Sequence, residues 1–288
     1  MKKILVFLIM LMAAVLLTCA LAEEDQPQYT SGDYEYILLE DGTAEITRYK
    51  GRDKKLTVPT ELDGHQVSAI GDYAFSACRS LTSITLPDSV SSIGDSAFLD
   101  CTSLTSITLS DSLVSIGDAA FSSCTSLTSI TVSPDNPVFA SIDGVLFHKS
   151  EKKLLCYPPA CNASTYSVPQ GIQSIGNDAF FYCTSLTSIT LPDSLSAIGD
   201  YAFNNCTSLT SITLPDSLTA IGDFAFSFCT SLTSITLPDC LTAIGDSVFY
   251  NCTSLKTVTV PRNSYAAQYC KENGLPYTYP DANDWLLN

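Results

Sequence analysis

The sequence predicts an α/β repeat solenoid, rich in β-structure, in which short coils stack along a curved rod. Two observations predict this fold class. Cysteines recur at intervals of 23 residues in two series, Cys78, Cys101 and Cys124, followed by Cys183, Cys206, Cys229 and Cys252. Apolar positions recur between them with the same spacing. A fixed period in the twenties is typical of solenoid proteins, whose coils contact only their neighbours.

The repeated apolar positions define the predicted core. In the copy at residues 208–230 they are Leu209, Ile212, Leu214, Leu218, Ile221, Ala225, Phe226 and Cys229. One coil of this size cannot bury eight apolar side chains, whereas stacked copies place each against its equivalent in the next coil. We therefore expect continuous core ladders, in which the periodic cysteines are small buried thiols.

Each copy also contains local structure signals. The segment LTSITL alternates as a strand does and is followed by Pro215, which ends it, and LTAI predicts a second short strand. Gly222 predicts a turn, and Asp223 predicts the cap of a short helical turn. Equivalent strands are expected in parallel register about 4.8 Å apart, which gives the rod a parallel strand face.

The repeat pattern L-x-x-I-x-L-P-x-x-L-x-x-I-G-x-x-A-F-x-x-C, at residues 209–229, resembles the leucine-rich repeat of the BspA-like family. Classical leucine-rich repeats have Asn or Cys where this copy has Ser217, and this departure favours the BspA-like class. The resemblance implies a bacterial surface or secreted protein. It also implies a binding role, since some members adhere to host proteins or aggregate cells.

The ends of the chain predict an exported protein with two caps. Residues 1–22 form a predicted signal peptide with cleavage after Ala22, and the alternatives are an uncleaved anchor or a lipoprotein acylated at Cys19. Residues 23–79 are expected to form an N-terminal β-rich cap and first coil, with a hairpin turn at Asp41-Gly42. Residues 262–288 predict a C-terminal cap and tail, with a short helix closed by Gly274.

The middle of the chain divides into three parts. Leucine-rich repeats are predicted at residues 80–133 and again at 167–261. Between them, residues 134–166 break the period and predict an irregular insertion coil with strands at GVLF and KLLCYP. We favour an embedded coil that continues the stack; the alternative is a functional loop on the binding face.

Charge restricts the possible partners. The formal net charge is -16, and removal of Lys2 and Lys3 with the signal peptide makes it -18. Nucleic acids and anionic membranes need clustered cations, so neither is expected as a partner. The sequence predicts a secreted or cell-surface monomer without membrane insertion after cleavage.

Catalytic and metal motifs are scarce. The sequence has no G-x-S-x-G elbow, H-E-x-x-H helix or C-x-x-C pair, and only the spacing of His148 and Cys156 suggests a nucleophile pair. We therefore expect no enzyme, no cofactor and no metal. Two questions stay open: a disulfide between Cys156 and Cys161, and calcium at the columns of Asp193, Asp216, Asp239, Asp200, Asp223 and Asp246.

Positions that vary between copies are the candidate binding residues. Aromatic side chains near the Ala-Phe pair predict a partner-binding patch at Phe181, Tyr182, Tyr201, Phe224, Phe228 and Tyr250, the alternative being partial burial in the turn layer. A second candidate is a polar strand face at Thr190, Thr213 and Thr236. The sequence thus predicts a binding protein for a host or neighbouring-cell protein or glycan; a structural matrix component is the alternative.

Overall fold

The computed structural model describes residues 27–280. The predicted signal peptide, its cleavage site and the alternative lipid attachment at Cys19 lie outside the described residues, as do residues 281–288. Among residues 27–280, no helix has the length and apolar character needed to span a bilayer.

The N-terminal cap is a meander that joins the solenoid through its third strand. Its strands are β1 (Tyr29–Ser31), β2 (Tyr34–Leu38), β3 (Ala44–Tyr49), β4 (Lys55–Thr57), β5 (Glu61–Leu62) and β6 (His65–Ile70). β1, β2 and β3 pair antiparallel, and β3 pairs parallel with β6. The Asp41-Gly42 turn forms as predicted: the Asp41 carboxylate accepts the Thr43 backbone N–H at 2.9 Å, and Gly42 has φ 80°.

Two parallel sheets run along the first series of coils. The added strands are β7 (Ser83–Thr85), β8 (Ser92–Ile93), β9 (Ser106–Leu109), β10 (Ser115–Ile116) and β11 (Ser129–Val132). The sheet β4-β7-β9-β11 is the strand face, and β6, β8 and β10 extend the cap sheet of β1, β2 and β3 as the second sheet. Ser106 pairs with Ser83 and Ser129 with Ser106, so one coil corresponds to one 23-residue period.

The insertion is a three-stranded antiparallel meander, with the two strands predicted at GVLF and KLLCYP. Its strands are β12 (Phe139–Ile142), β13 (Val145–His148) and β14 (Lys153–Cys156). Alternate residues of β13 contribute to different parts of the core: Leu146 packs with the N-terminal coils, and Val145 and Phe147 pack with the C-terminal coils. The core is therefore divided into two clusters at this strand.

The second series of coils continues from β14. Its elements are β15 (Thr165–Ser167), β16 (Ser174–Ile175), β17 (Ser188–Thr190), β18 (Ala197–Ile198), β19 (Ser211–Ile212), β20 (Ala220–Ile221), β21 (Ser234–Thr236), β22 (Ala243–Ile244), β23 (Thr257–Thr259), α1 (Tyr265–Glu272) and β24 (Tyr277–Thr278). β14 pairs parallel with β16, so the insertion continues the stack. Ser264 caps α1 by accepting the Ala267 N–H, and Gly274 follows the helix with φ 64°.

The predicted core ladders are confirmed. All eight apolar positions of the 208–230 copy are buried, with at most 6% of any residue exposed. Phenylalanines stack from coil to coil, with ring centroids 5.2 Å apart for Phe203 and Phe226 and 5.3 Å apart for Phe75 and Phe98. Tyr157 starts the second phenylalanine stack at 5.0 Å from Phe180.

The glycine and aspartate that recur in each copy have a different structural role from the one predicted. Gly222 lies outside the left-handed region; a Cβ there would lie 2.6 Å from the Asp200 backbone nitrogen, so glycine is required by the close approach of two coils. Asp223 does not cap a helical turn of its own coil. Its carboxylate accepts the Asp246 N–H of the next coil at 2.7 Å. The predicted helical turn is a series of hydrogen-bonded turns instead.

Polar side chains also bond between coils. The Cys229 thiol donates to the Phe203 carbonyl at 3.2 Å, and the Ser217 hydroxyl donates to the Leu195 carbonyl at 2.6 Å. Because each of these two donors has a partner in the preceding coil, both are satisfied without water.

Candidate functional site

The candidate aromatic residues lie on the turn edge, which we define as the segments between the I-G-[DN] motif and the cysteine of each coil. Two positions in every turn have left-handed backbone. They are Tyr73, Ser96, Ala119, Asp178, Tyr201, Phe224 and Ser247 at the first position, and Ala77, Asp100, Ser123, Tyr182, Asn205, Phe228 and Asn251 at the second, with φ from 53° to 60°. Left-handed backbone is unfavourable for bulky side chains, which makes the aromatic members strained.

The six predicted residues form three ring pairs on this edge. Tyr201 stacks on Phe224 of the next coil with ring centroids 5.0 Å apart and planes 6° apart. Phe228 meets Tyr250 edge to face at 5.5 Å, and Phe181 meets Tyr182 at 4.9 Å. The structure therefore brings four of these residues together from neighbouring turns, whereas Phe181 and Tyr182 are consecutive residues of one turn.

Exposure differs within the pairs. Tyr182, Tyr201 and Tyr250 are 39%, 38% and 58% exposed. Phe181, Phe224 and Phe228 are half-buried. Each pair thus presents one tyrosine to solvent and supports it with a phenylalanine.

Backbone hydrogen bonds hold the turns rigidly. The Phe224 N–H donates to the Asp246 carbonyl at 2.9 Å, and the Phe228 N–H donates to the Tyr250 carbonyl at 2.8 Å. Because the turns at residues 73–77, 96–100, 178–182, 201–205 and 224–228 all bond to the next coil in this way, their rings project from an ordered surface and lose little conformational entropy on binding.

Tyr73 belongs to the same column and was missed by the sequence analysis. It has φ 56° and is 58% exposed, in the first turn of the solenoid. The signal was present, because the GDYAF segment at residues 71–75 is repeated letter for letter at 199–203. The exposed aromatic residues are therefore not confined to the C-terminal half.

The polar strand face has the orientation that its alternation predicted. Thr190, Thr213 and Thr236 are exposed, and the isoleucine before each of them is buried. The neighbouring threonine row has a structural role: the Thr210 hydroxyl donates to the Thr187 carbonyl at 3.2 Å, and this contact recurs in other coils. The hydroxyls of Thr190, Thr213 and Thr236 are exposed and form no hydrogen bond within residues 27–280, so they are free to contact a partner.

The groups considered for chemistry are engaged elsewhere. His148 Nδ1 accepts the Glu151 N–H at 3.2 Å, and no hydrogen bond joins His148 to Cys156 within the described chain. Burial raises the pKa of the Cys156 thiol to about 12, which disfavours the nucleophilic thiolate. Asp200 and Asp223 each accept a backbone N–H of the next coil, and residues 27–280 contain no group of three or more metal-ligating side chains.

The cysteine pair of the insertion is also unbridged. Cys156 and Cys161 are both free thiols. Cys156 belongs to the N-terminal core cluster, whereas Cys161 packs against the C-terminal cluster. The two side chains therefore lie on different sides of the division in the core.

The pKa of the Asp178 carboxyl is raised where the insertion meets the turn edge. The insertion coil lacks the usual turn, and the Ser122 hydroxyl donates to Asp178 Oδ1 across the gap at 3.1 Å. Burial raises the pKa of the Asp178 carboxyl to about 6, opposed by the Ser122 hydrogen bond and assisted by the charges of Asp118 and Asp200.

The fold and the turn edge define a class: a solenoid of 23-residue coils with a parallel strand face, scarcely any helix, and aspartate, cysteine and phenylalanine ladders. A family model for the BspA type leucine-rich repeat region, in six copies, matches residues 54–158 and 156–273. The chain belongs to this family, as its repeat pattern indicated.

Solved structures show the same fold. A leucine-rich cell surface protein of Faecalibacterium prausnitzii A2-165 is 25% identical, with 91% of this chain and 97% of that chain covered and a TM-score of 0.62. The pneumococcal vaccine antigen PcpA is 22% identical, with 82% of each chain covered and a TM-score of 0.58. A leucine-rich repeat protein of Eubacterium ventriosum is 21% identical, with 81% and 78% covered and a TM-score of 0.54. No curated protein matches the sequence significantly.

Proposed function

We propose that this chain is a secreted or cell-surface binding protein that mediates protein-protein or cell-adhesion contacts through the aromatic pairs of its turn edge. The family is of the bacterial surface-protein type, and its fold is a scaffold that generally lacks catalytic activity. The observation that carries the proposal is the stack of Tyr201 on Phe224 at strained backbone positions.

The backbone strain at these positions supports a binding role for the aromatic residues. Serine occupies the same position at Ser96 and Ser247, so the fold does not need an aromatic ring there. Left-handed backbone costs a bulky residue about 1–2 kcal/mol relative to glycine. Bulky rings at such a site add no core packing, and a binding contact is the benefit that offsets their cost.

Export is part of the proposal. The apolar run at residues 4–22 after two lysines, followed by an acidic segment, supports a signal peptide cleaved after Ala22. The likeness to a leucine-rich cell surface protein supports the same location.

The test measures binding by the mature chain, residues 23–288, to an array of glycans and to a panel of purified extracellular matrix proteins. We expect saturable binding to at least one of them. Tyr201→Ser combined with Phe224→Ser should weaken it about tenfold or more, since aromatic anchors dominate such interfaces. Both changes copy the serines that other coils have at this position.

A matched variant separates the two candidate surfaces. Thr213→Val combined with Thr236→Val removes two hydroxyls of the strand face, keeps the β-branched shape and leaves the turn edge intact, and it should bind normally. Equal loss in both variants, or loss in the threonine variant alone, contradicts the proposal. No binding to any member of either panel supports the alternative, a structural matrix component without a dedicated ligand.

A further inference from the structure

The cations of this acidic chain are concentrated at one end of the solenoid. Outside the predicted signal peptide there are twelve lysines and arginines, that is 14 minus Lys2 and Lys3. Six of the twelve fall within residues 48–79: Arg48, Lys50, Arg52, Lys54, Lys55 and Arg79. Residues 80–148 contain none. Residues 48–79 contain four acidic residues, so this segment has a net charge of +2, whereas the whole chain has a net charge of -16.

Four of these cations line one groove. It lies between the end of β3 with its following loop, residues 47–52, and the first turn, residues 73–80, and has a volume of about 770 Å³. Its lining includes Arg48, Lys50, Arg52 and Arg79 and contains no aspartate or glutamate. In a protein with a net charge of -16, a groove with four cations and no acid is a distinct electrostatic feature.

Two of the four cations are available to a ligand. Lys50 pairs with Glu35, and Arg79 lies 3.7 Å from Asp100. Arg48 and Arg52 are exposed, and neither forms an ion pair within the described chain. A guanidinium group binds carboxylate and sulfate oxygens with two parallel hydrogen bonds, which suits it to anion recognition.

The walls of the groove are held in place by the fold. The Tyr49 N–H donates to the Ala74 carbonyl at 2.8 Å, and the Tyr49 ring packs 5.5 Å from Phe75 at the end of the phenylalanine stack. The Ser80 hydroxyl donates to the Arg52 carbonyl at 3.1 Å. The cap and the first coil thus form one preorganised surface.

Two further features of the groove favour a sugar. Tyr73 lines it and is 58% exposed, which offers a flat ring to the apolar face of a pyranose. The Leu99 carbonyl of the second coil accepts the Ala77 N–H at 2.7 Å, whereas the equivalent Ser76 carbonyl accepts no backbone N–H within residues 27–280. The Ser76 carbonyl is therefore free to accept a hydrogen bond from a hydroxyl group of a ligand.

We propose that this groove binds an acidic glycan, with Arg48 and Arg52 on its carboxylate or sulfate groups, Tyr73 against a sugar ring and the Ser76 carbonyl on a hydroxyl. The site is separate from the aromatic pairs of the C-terminal coils, so it does not depend on the function proposed for them. The lining of the groove includes no leucine, isoleucine, valine, methionine or phenylalanine that would hold the apolar side chains of a peptide, which is why we favour a glycan over an acidic peptide.

The experiment measures binding of the mature chain by calorimetry at low and moderate salt. The probes are an oligogalacturonate, whose anions are carboxylates, a heparin-derived oligosaccharide, which carries sulfates, a neutral oligosaccharide of similar length, and oligoglutamate. We expect one or both acidic glycans to bind in a salt-dependent manner and the neutral one to bind weakly or not at all. Which acidic glycan binds identifies the anion.

Variants locate the site. Arg48→Gln combined with Arg52→Gln should weaken binding about tenfold or more, because two charge-assisted contacts are lost. Lys152→Gln combined with Lys256→Gln removes the same charge outside the groove and should bind as the wild type does. Tyr73→Ser, which copies Ser96 of the next coil, should weaken glycan binding and leave any oligoglutamate binding unchanged.

Several outcomes overturn the proposal. These are the absence of binding to both acidic glycans at low salt, equal weakening by the two charge variants, and oligoglutamate binding that matches glycan binding and ignores Tyr73→Ser. The last result would assign the groove to acidic peptides instead. Circular dichroism of each variant confirms that it is folded.

Discussion

Tyr201 and Phe224 stack with their ring planes 6° apart, and both lie on left-handed backbone, with φ 54° and 53°. Their packing differs in kind from that of Phe203 and Phe226, which stack in the same two coils at 5.2 Å but are fully buried. One stack stabilises the coil-to-coil core, and the other is a strained surface feature. This contrast separates residues required for folding from residues available for binding.

This contrast predicts that substitutions at Phe226 and Phe228, two positions apart, differ strongly in their effect on the free energy of unfolding. Phe228→Asn should change the free energy of unfolding by less than about 1 kcal/mol, because asparagine tolerates left-handed backbone better than phenylalanine and this offsets the lost contact with Tyr250. Asn205 and Asn251 already occupy this column. Phe226→Ala should cost about 3–5 kcal/mol, because it opens a cavity in the core. Urea unfolding followed by circular dichroism measures both; a large loss in Phe228→Asn would assign that ring to the scaffold.

A second prediction concerns the close approach of coils at glycine. Gly222→Ala should destabilise the protein by several kcal/mol, since the added Cβ meets the Asp200 side chain and, at 2.6 Å, its backbone nitrogen. Gly42→Ala is the matched control. No atom lies within 4 Å of a Cβ there, and only its φ of 80° is unfavourable, so we expect a cost of about 1–2 kcal/mol. Equal unfolding midpoints for the two variants would contradict the steric explanation.

Periodicity was sufficient to predict the core ladders, because apolar residues recur at the same positions of each 23-residue copy of the sequence. Leu209 and Phe226 are buried where their spacing placed them. The role of Gly222 was not predictable in the same way. The residue that a Cβ at this position would contact is Asp200 of the preceding coil, 22 positions earlier in the sequence. A glycine in a sequence is compatible with either a turn or a close approach of two backbones, so the residue alone does not distinguish them.

The candidate site was predictable only in part. Variation between copies identified the residues of the ring pairs. The left-handed backbone of the turns could not be predicted, because serine, alanine, asparagine and aromatic residues stand at these positions and glycine, the usual signal, does not. The cationic groove depends on the Tyr49 to Ala74 hydrogen bond, which brings the cap loop beside the first turn. No local pattern predicts that juxtaposition.

The third prediction is a pH dependence from Asp178. Its pKa of about 6 in the folded protein lies above its ordinary value of 3.8, so the unfolded chain binds fewer protons between these values and stability falls as pH rises from about 4 to 6. Asp178→Asn keeps an acceptor for the Ser122 hydroxyl and should raise stability at neutral pH by about 2 kcal/mol. It should also flatten the pH profile of the unfolding free energy in that range.

The control for this prediction is Asp193→Asn, which removes one negative charge at an exposed position. We expect it to retain the decline between pH 4 and 6 of the wild-type profile. An Asp178→Asn profile parallel to that of the wild type would show that burial of this carboxyl does not cost stability.

The fourth prediction concerns thiol reactivity. Eleven cysteines lie within residues 27–280, and all are free thiols. Cys240 is the exposed member, at the position where Ser217 donates a hydrogen bond in the preceding coil. Burial raises the pKa of Cys78 and Cys252 to about 11, which slows their reaction, and the fully buried thiols are also inaccessible to reagent.

Ellman's reagent should therefore modify Cys240 fastest in the native mature protein, ahead of the half-buried Cys161, and should modify all eleven thiols in guanidinium chloride. Cys240→Ser should abolish the fastest phase and restore the hydroxyl that this column has elsewhere. A total below eleven after denaturation would reveal a disulfide, and Cys156 and Cys161 would be the first pair to examine by mass spectrometry. Rapid reaction of several thiols in the native protein would instead show that the cysteine ladder opens locally, because a thiol in the closed ladder donates to a carbonyl of the preceding coil and is shielded from the reagent.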